Sequence, residues 1–436
     1  MKQWLRQAAL GTARHTLGRL PRSRTRLTGP LAIAGGTPVR DIRLRPWPPD
    51  HGASLREWVF RVEPAFRHVF LSGAEGLPQA RQKRFAEQWA EFCHCRHALL
   101  LPHGTDALRI ALAAVLDHDG LGYGGEVIVP NLSFIASATA PLDRRFGIAL
   151  VDVDPGTLNL DPRRVEEAIV PGRTRAILPV HQFGQPADMT ALRALAQAHG
   201  LALIEDAAQA HGAEWDTGPV GSLGDAAAFS FQSAKNLSAG EGGMLTTNDT
   251  AVFKRAHAIH NAGRSPELGA RWEHPSLGWN IRGTEYQAAL LMHRFAQFPA
   301  QQTTRAHNFT ALRALLADVR CVRPLETHLS VRRHGMYMFV MRYDAAIGGR
   351  PIEGFLEAVR AEGAPLHRGY ASTISSQPVM QSLMQKRPDY VRALPTPVAD
   401  QAATEIVYLA SSLFLGSEAD MADVAHAIRK VERARS

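Results

Sequence analysis

The sequence predicts an α/β fold: a mainly parallel sheet with helices on both faces, followed by a smaller α/β domain. Short apolar runs recur between residues 98 and 247, and helix-forming stretches separate several of them. A strand that is apolar along its whole length is buried on both faces, as in parallel sheets joined by crossover helices. With 436 residues, 45% of them hydrophobic, the chain is long enough for one large or two ordinary domains.

Individual elements have recognisable signals. A helix is expected at 105–116, where Leu108 and Leu112 share one face. A second helix, 188–199, is expected to end at Gly200, because glycine commonly terminates helices. The strands of the sheet are expected at 98–101, 127–129, 148–151, 176–180, 201–204, 226–231 and 244–247.

From about residue 305 the pattern changes, which predicts the smaller domain. Its expected elements are a helix near 305–316, a strand at 337–342, and helices near 353–361 and 420–434. We therefore divide the chain into a basic leader (1–30), a large domain with an N-terminal segment (31–300) and a small C-terminal domain (301–436).

Basic charge is concentrated in the leader. The formal net charge is +8, but residues 1–30 contain seven basic side chains and no acidic one. The remaining 42 basic and 41 acidic residues nearly cancel, so the basic composition does not indicate a nucleic-acid groove. The leader lacks the long apolar core of a secretory signal. We expect a disordered extension there, with a targeting peptide or a surface-binding arm as alternatives.

Other patterns exclude several classes of protein. No run of about 18 apolar residues could span a membrane, and three cysteines give no disulfide framework, which favours the cytoplasm. Cys93 and Cys95 lack the usual zinc spacing, so no metal site is predicted. The glycine motif 120–125 precedes a strand instead of following one, which argues against a dinucleotide-binding dehydrogenase.

Two motifs place polar groups at the ends of predicted strands. In HGTDAL, Gly104 and Thr105 open a helix, where backbone N–H groups and the helix dipole make an anion site. In IEDAAQAHG, Asp206 reaches the carboxyl end of a strand, where open α/β sheets bind ligands, and Gln209 follows. A carboxylate among apolar neighbours needs a cation, and a protonated pyridine nitrogen would serve. Taken alone, an ordinary strand-to-helix turn and a capping carboxylate give the same patterns.

Lys235 completes a recognisable set of groups. It follows an apolar strand and precedes the glycine-rich loop 240–243. Desolvation would lower the pKa of such a lysine toward nucleophilic use, and Phe134 offers an aromatic ring. An anion cradle, a buried acid, an activated lysine and a stacking ring together favour pyridoxal phosphate (PLP), so 31–300 is expected to be the PLP-binding domain.

The sequence resembles the DegT/DnrJ/EryC1/StrS family of PLP-dependent aminotransferases, which aminate keto-sugars and related cyclitols. The resemblance covers roughly residues 31–434. The matching segments are EVIVPNLSFIASATA, TRAILPVHQFGQPADM, IEDAAQAHGAEW, GSLGDAAAFSFQSAKNLSAGEGG and GWNIRGTEYQAAL. The resemblance implies PLP fold type I, which is like that of aspartate aminotransferase, and a homodimer with active sites at its interface.

The resemblance also implies roles for individual residues. Lys235 matches the lysine that forms the Schiff base with PLP, and Asp206 matches the partner of the pyridine nitrogen, with Gln209 near the ring. Phe134 matches the stacking aromatic, and Asn280 matches an asparagine that is donated across the dimer interface. The implied phosphate ligands are Gly104, Thr105 and Ser230.

The amino donor implied is glutamate or glutamine, and the acceptor is a nucleotide-linked keto-sugar or a keto-cyclitol. Residues 31–40 and 414–431 resemble the branch that contains scyllo-inosose aminotransferases and aminohydroxybenzoate synthases. Two departures stand out: His103 replaces a common serine, and 410–412 lacks the histidine frequent in this branch. Candidate substrate contacts are His181, Arg282 and Tyr370.

Two alternatives to an aminotransferase remain at this point. One is a PLP-dependent dehydratase or lyase that acts on a sugar or cyclitol, although Lys235 argues against the dehydratases that carry histidine there. The other is a non-catalytic regulator that retains the fold.

Overall fold

The computed structural model describes residues 29–48, 54–73, 80–117, 119–265 and 273–434. Almost all of the basic leader, residues 1–28, lies outside the described residues. The expected disordered extension therefore also lies outside them. Within the described ranges, no helix has both the length and the apolar character that crossing a bilayer requires.

Across the part of the chain that the structure describes, fifteen strands form three sheets. They are β1 (His97–Leu101), β2 (Glu126–Pro130), β3 (Gly147–Val151), β4 (Thr174–Ile177), β5 (Ala202–Asp206), β6 (Glu214–Trp215), β7 (Gly218–Pro219), β8 (Ala226–Ser230), β9 (Gly243–Thr247), β10 (Val322–Pro324), β11 (Val331–Arg333), β12 (Met338–Tyr343), β13 (His367–Arg368), β14 (Val391–Ala393) and β15 (Ile406–Ala410).

The eight-stranded sheet is the predicted, mainly parallel one. Its order is β1-β9-β8-β5-β4-β2-β3-β14. The strands from β8 to β14 pair in parallel, and only β9 and β1 at one edge pair antiparallel. A four-stranded antiparallel sheet has the order β10-β12-β15-β13, and a small third sheet has the order β11-β6-β7. The fold class predicted from the sequence is therefore confirmed.

Helices cover these sheets. The α-helices are α1 (Leu55–Glu57), α2 (Glu63–Ser72), α3 (Ala80–Phe92), α4 (Gly104–Val115), α5 (Ala136–Asp143), α6 (Pro162–Ala168), α7 (Met189–His199), α8 (Thr250–His260), α9 (Glu285–Phe295), α10 (Phe298–Leu315), α11 (Ala345–Gly348), α12 (Ile352–Ala361), α13 (Pro378–Lys386), α14 (Pro397–Glu405) and α15 (Glu418–Arg433). A π-helical segment, Trp58–Val62, joins α1 to α2, and short 3-10 turns occupy Ala32–Ala34, Gln182–Gly184 and Ser411–Leu415.

Local sequence explains several helix ends. Helix α7 begins after Asp188, whose carboxylate accepts the Ala191 N–H, and it ends at Gly200 with a φ of 63°, as predicted. Helix α9 begins with a capping box, in which Thr284 and Gln287 bond each other's backbone N–H groups. The start of α9 matters for the site described below because it lies next to the loop that follows β8.

Alternate residues of the central strands enter different cores, which shows that both faces of the large sheet are covered. Ile128 packs in one hydrophobic cluster with Trp89 and Phe229, whereas Val127 packs in another with Leu108. A third cluster lies between the four-stranded sheet and α12 and α15. Strand β14 returns to the large sheet from beyond residue 300, beside β3. The division at residue 300 stays a prediction.

Candidate active site

Lys235 lies just beyond the carboxyl end of β8. Its side chain is half-buried, and its Nζ lies 3.4 Å from the Tyr337 hydroxyl. Desolvation lowers the pKa of Lys235 to about 8, and the charge of Asp206 opposes that shift. A lysine in this state supplies both free amine and ammonium near neutral pH, so it could act as a nucleophile or as a general base.

Asp206 ends strand β5, which is the neighbour of β8. Its carboxylate accepts hydrogen bonds from the Ser137 hydroxyl at 2.8 Å and from the Ala208 N–H at 3.2 Å. Burial raises the pKa of Asp206, although these two bonds and the charge of Lys235 oppose the rise. No cationic side chain in the described ranges forms an ion pair with this carboxylate. It is therefore a buried acid with room for a cationic partner.

Gln209 connects the Asp206 loop to the far side of the site. Its Oε1 accepts the Phe183 N–H at 2.8 Å, and its Nε2 donates to the Tyr370 hydroxyl at 3.1 Å. Burial raises the pKa of Tyr370, so this phenol keeps its proton. The structure thus places Tyr370 beside Gln209, where its ring also faces Phe183.

Helix α4 begins against the end of β8. A Cβ on Gly104 would lie 2.7 Å from the Ser230 Cβ, so a glycine is what allows the helix start and the strand end to approach this closely. The first N–H groups of the helix, including that of Thr105, have no partner within the helix. Next to them, His103 Nδ1 lies 3.1 Å from Glu241 Oε2 of the glycine-rich loop. The arrangement is suited to a phosphate or another anion.

Phe134 and Asn280 are exposed in the isolated chain. Phe134 is 61% exposed and lies in the loop before α5, the helix that also carries Ser137. Asn280 forms an isolated bridge with Asn261, and the nearby Arg282 donates to Asn261 Oδ1 at 2.9 Å. The structure therefore groups Asn280 with Arg282 instead of bringing it to Lys235 within one chain.

His181 is fully buried behind Asp206. Its Nδ1 accepts the Ala187 N–H at 3.0 Å, which places the proton on Nε2, 3.0 Å from Glu205 Oε2. The His181 N–H also donates to the Asp206 carbonyl at 3.1 Å. Both ring nitrogens are therefore engaged, and neither is left to contact a substrate. The predicted substrate contact at His181 receives no support from this geometry, because the ring braces β5.

The sequence reasoning did not select three residues of this site, although two of them, Ser137 and Asn236, lie inside the segments that resemble the family. Tyr337 contacts Lys235 from 102 positions away, and Ser137 bonds Asp206 from 69 positions away. Asn236 donates to the Gly335 carbonyl at 2.6 Å, across 99 positions. Position within those segments was the available signal for Ser137 and Asn236, whereas a lone tyrosine such as Tyr337 is too common to select.

Comparison with known proteins adds a family. The sequence profile of the DegT/DnrJ/EryC1/StrS aminotransferase family matches residues 66–429. The chain is 36% identical to an L-glutamine:2-deoxy-scyllo-inosose aminotransferase of Streptoalloteichus tenebrarius, over 92% of this chain and 97% of that protein. It is 33% identical to the aminotransferase of the same description from Streptomyces kanamyceticus, over 93% and 97%.

A solved structure has the same fold. The crystal structure of DesI in the presence of its TDP-sugar product superposes with a TM-score of 0.78 at 28% sequence identity. The match covers 93% of this chain and 97% of DesI.

Proposed function

The chain belongs to the DegT/DnrJ/EryC1/StrS aminotransferase family, and from that premise we propose that it transfers the α-amino group of L-glutamine to the ketone carbon of a keto-cyclitol. The observation that carries this proposal is the pairing of a lysine whose pKa is lowered to about 8 with a buried carboxylate on the neighbouring strand. The cyclitol is preferred to a nucleotide-linked keto-sugar because the relatives named for 2-deoxy-scyllo-inosose share more of the sequence than DesI does.

The residues present fit PLP, the cofactor that this family uses. The Asp206 carboxylate is buried and has no ion-pair partner among the described residues, so it could pair with a protonated pyridine nitrogen. The close approach that Gly104 permits between the start of α4 and Ser230 suits a phosphate, with Thr105 as a further donor. We propose that these residues hold the cofactor together with Gln209, Phe134 and Lys235. The last three are assigned by their resemblance to the family.

The side chains would divide the chemistry as follows. PLP, when bound, supplies an electron sink for the carbanion formed at the α-carbon of the donor. Lys235 removes the α-proton as a free amine and returns a proton as an ammonium, and a pKa near 8 keeps both forms available. Asp206 keeps a negative charge at the inner end of the site, where the Ser137 and Ala208 bonds support it.

We also propose that the chain works as a homodimer in the cytoplasm. Large apolar side chains stay exposed in the isolated chain, namely Phe134 at 61%, Leu277 at 54% and Trp279 at 40%, and a second copy would cover them. Asn280 lies in the same exposed segment and could then serve the partner's site. Cys93, Cys95 and Cys321 all lie within the described residues and form no disulfide, which suits a reducing compartment.

Arg282 and Tyr370 remain our proposed substrate contacts. Gln209 holds the Tyr370 hydroxyl, so the ring is fixed beside the proposed reaction centre at Lys235 and Asp206. Arg282 has a buried Nε without a hydrogen-bond partner in the described residues, and its Nη1 is already bonded to Asn261.

The direct test is to follow the nitrogen. Protein loaded with PLP is incubated with 2-deoxy-scyllo-inosose and with L-glutamine labelled at either the α-nitrogen or the amide nitrogen, and the product is identified by mass spectrometry. We expect an aminocyclitol that carries the α-nitrogen only. A cyclitol that loses water and gains no nitrogen would support the dehydratase or lyase alternative instead.

Two lysine variants make the test specific. Lys235→Ala should abolish turnover, because it removes the amine that moves the proton. Lys83→Ala is the matched control, because Lys83 is an exposed helical lysine that forms only a surface pair with Glu87. Activity that persists in Lys235→Ala would contradict the proposal.

A further inference from the structure

Tyr337 meets Lys235 from the side of the four-stranded sheet. Its hydroxyl lies 3.4 Å from Lys235 Nζ, and its ring centroid lies 4.5 Å from the same nitrogen. The tyrosine is only 6% exposed, so both contacts are shielded from water. It directly precedes β12, whereas Lys235 follows β8 of the large sheet.

The turn before Tyr337 has an unfavourable backbone conformation. Met336 has a φ of 54°, in the left-handed region that residues with a Cβ rarely adopt. Asn236, the residue after the lysine, donates to the Gly335 carbonyl at 2.6 Å and to the Met336 carbonyl at 3.1 Å. The Gly335 N–H donates to the Gly184 carbonyl at 2.6 Å. A strained backbone conformation persists only where neighbouring groups fix it. Here one of those groups is Asn236, in the loop that carries Lys235.

We propose that Tyr337 is a positioning residue for Lys235, whose amine it holds with one hydroxyl contact and one ring contact. The Asn236 bonds fasten this tyrosine to the lysine loop, so the two side chains are placed as a unit. The inference rests on the proposed function only for the part that Lys235 plays in turnover; the contact itself is independent of the substrate.

The hydroxyl should favour the charged form of the lysine. It can accept a hydrogen bond from the ammonium or donate one to the free amine, and the bond to the charged group is the stronger. Burial raises the pKa of Tyr337 to about 12, so the phenol itself stays protonated. Asp206 also favours the ammonium, whereas His211 stays neutral because burial lowers its pKa to about 3. Loss of the hydroxyl should therefore lower the pKa of Lys235 further.

The test uses Tyr337→Phe, which keeps the ring and removes only the hydroxyl. The matched control is Tyr408→Phe, because Tyr408 lies on β15 of the same sheet and, among the described residues, its hydroxyl makes no bond to Lys235. Full-length protein without cofactor is treated with acetic anhydride across a pH series, and acetylation of Lys235 is quantified by peptide mass spectrometry. Exposed Lys83 in the same samples serves as the internal reference.

We expect the labelling midpoint of Lys235 to fall by about half a pH unit or more in Tyr337→Phe, roughly a threefold change in the ionisation ratio, and to stay unchanged in Tyr408→Phe. In the PLP-loaded enzyme we expect kcat to fall about tenfold with KM nearly constant, because the amine is no longer held in place. Wild-type midpoints and wild-type kcat in Tyr337→Phe would overturn the inference.

A second variant guards against a folding defect. Asn236→Ala releases the strained turn and leaves Tyr337 intact, and it should move the Lys235 midpoint in the same direction. Circular dichroism and thermal unfolding establish that both variants are folded. If neither folded variant moves the midpoint, Tyr337 does not position Lys235. If the midpoint moves but no enzyme form aminates a cyclitol, the proposed function fails and the positioning role stands.

Discussion

Gly104→Ala is the sharpest test of where the cofactor phosphate binds. An added Cβ would lie 2.7 Å from the Ser230 Cβ and 3.1 Å from its Cα. Neither atom can rotate away, since both are fixed by strand β8. Non-bonded carbons rest at about 3.5–4.0 Å, so the start of α4 would have to move by about 1 Å away from β8.

That displacement acts on the phosphate donors. Overpacking of this kind costs about 1–3 kcal/mol of folding stability. A shift of about 1 Å also weakens hydrogen bonds from the first turn of α4 to an anion, each worth about 1.5–3 kcal/mol when one partner is charged. We therefore expect the PLP dissociation constant to rise about 10- to 100-fold.

The assay is a titration of cofactor-free protein with PLP, followed by absorbance. Gly354→Ala is the matched control, because Gly354 lies in α12 and an added Cβ there would meet nothing within 4 Å. It should leave PLP affinity unchanged and raise stability by about 1 kcal/mol, as alanine is the better helix former. Unchanged PLP affinity in Gly104→Ala would refute the assignment of the phosphate to this helix start.

Three further predictions concern charge. Asp206→Asn should keep PLP bound and lower kcat about a hundredfold or more, since the protonated pyridine nitrogen of the cofactor would lose the buried carboxylate that we propose as its partner; rates of amine formation measure this, and a wild-type kcat would contradict it. The free energy of unfolding should fall as the pH drops from 6.5 toward 3. Burial lowers the pKa of His211 and His260 from 6.5 to about 3, so in this pH range the unfolded chain binds protons that the folded chain does not. Urea unfolding at several pH values measures this, and a flat profile would contradict it. Lys430→Met should lower the free energy of unfolding, measured in urea, by about 3 kcal/mol. The substitution removes the ammonium that lies 2.9 Å from the buried Glu362 carboxylate.

Each of these has a control. Asp225→Asn changes a carboxylate that directly precedes β8 and accepts the Leu203 N–H at 2.8 Å. His260→Asn should flatten part of the pH dependence, since it removes one of the two buried rings. Glu362→Gln combined with Lys430→Met should recover part of the lost stability, and no recovery would mean that the loss came from packing.

The sequence predicts the large sheet well because its strands are apolar on both faces. The run 148–151 corresponds to β3, Gly147–Val151, and Gly200 ends α7 with a positive φ as its type suggested. Strand β14 was not predicted, since its three residues, Val391–Ala393, include a charged arginine and are too short for a period to emerge. It joins the sheet only because β3 offers an open parallel edge.

Side-chain partners were harder to predict than elements. Asp206 and Lys235 could be selected because each follows an apolar strand, and parallel strands bring their carboxyl ends to one edge. His181 was a candidate substrate contact from the family resemblance alone, and its ring nitrogens instead contact Glu205 and a backbone N–H. Glu205 and Asp206 are both buried, and sequence spacing carries no information about which of these two adjacent acids contacts His181.

The site is built from both sheets, and this explains why no single motif contains it. Asp206 and Lys235 come from the large sheet, whereas Tyr337 and Tyr370 flank strands of the four-stranded sheet. Hydrogen bonds join the halves, among them Gln209 to Tyr370 at 3.1 Å and Asn236 to the Gly335 carbonyl at 2.6 Å. Each bond starts from a residue within three positions of a chemically active side chain. A substitution that shifts how the two sheets pack should therefore affect the lysine amine and the buried carboxylate together, and should change kcat even where it touches neither substrate nor cofactor.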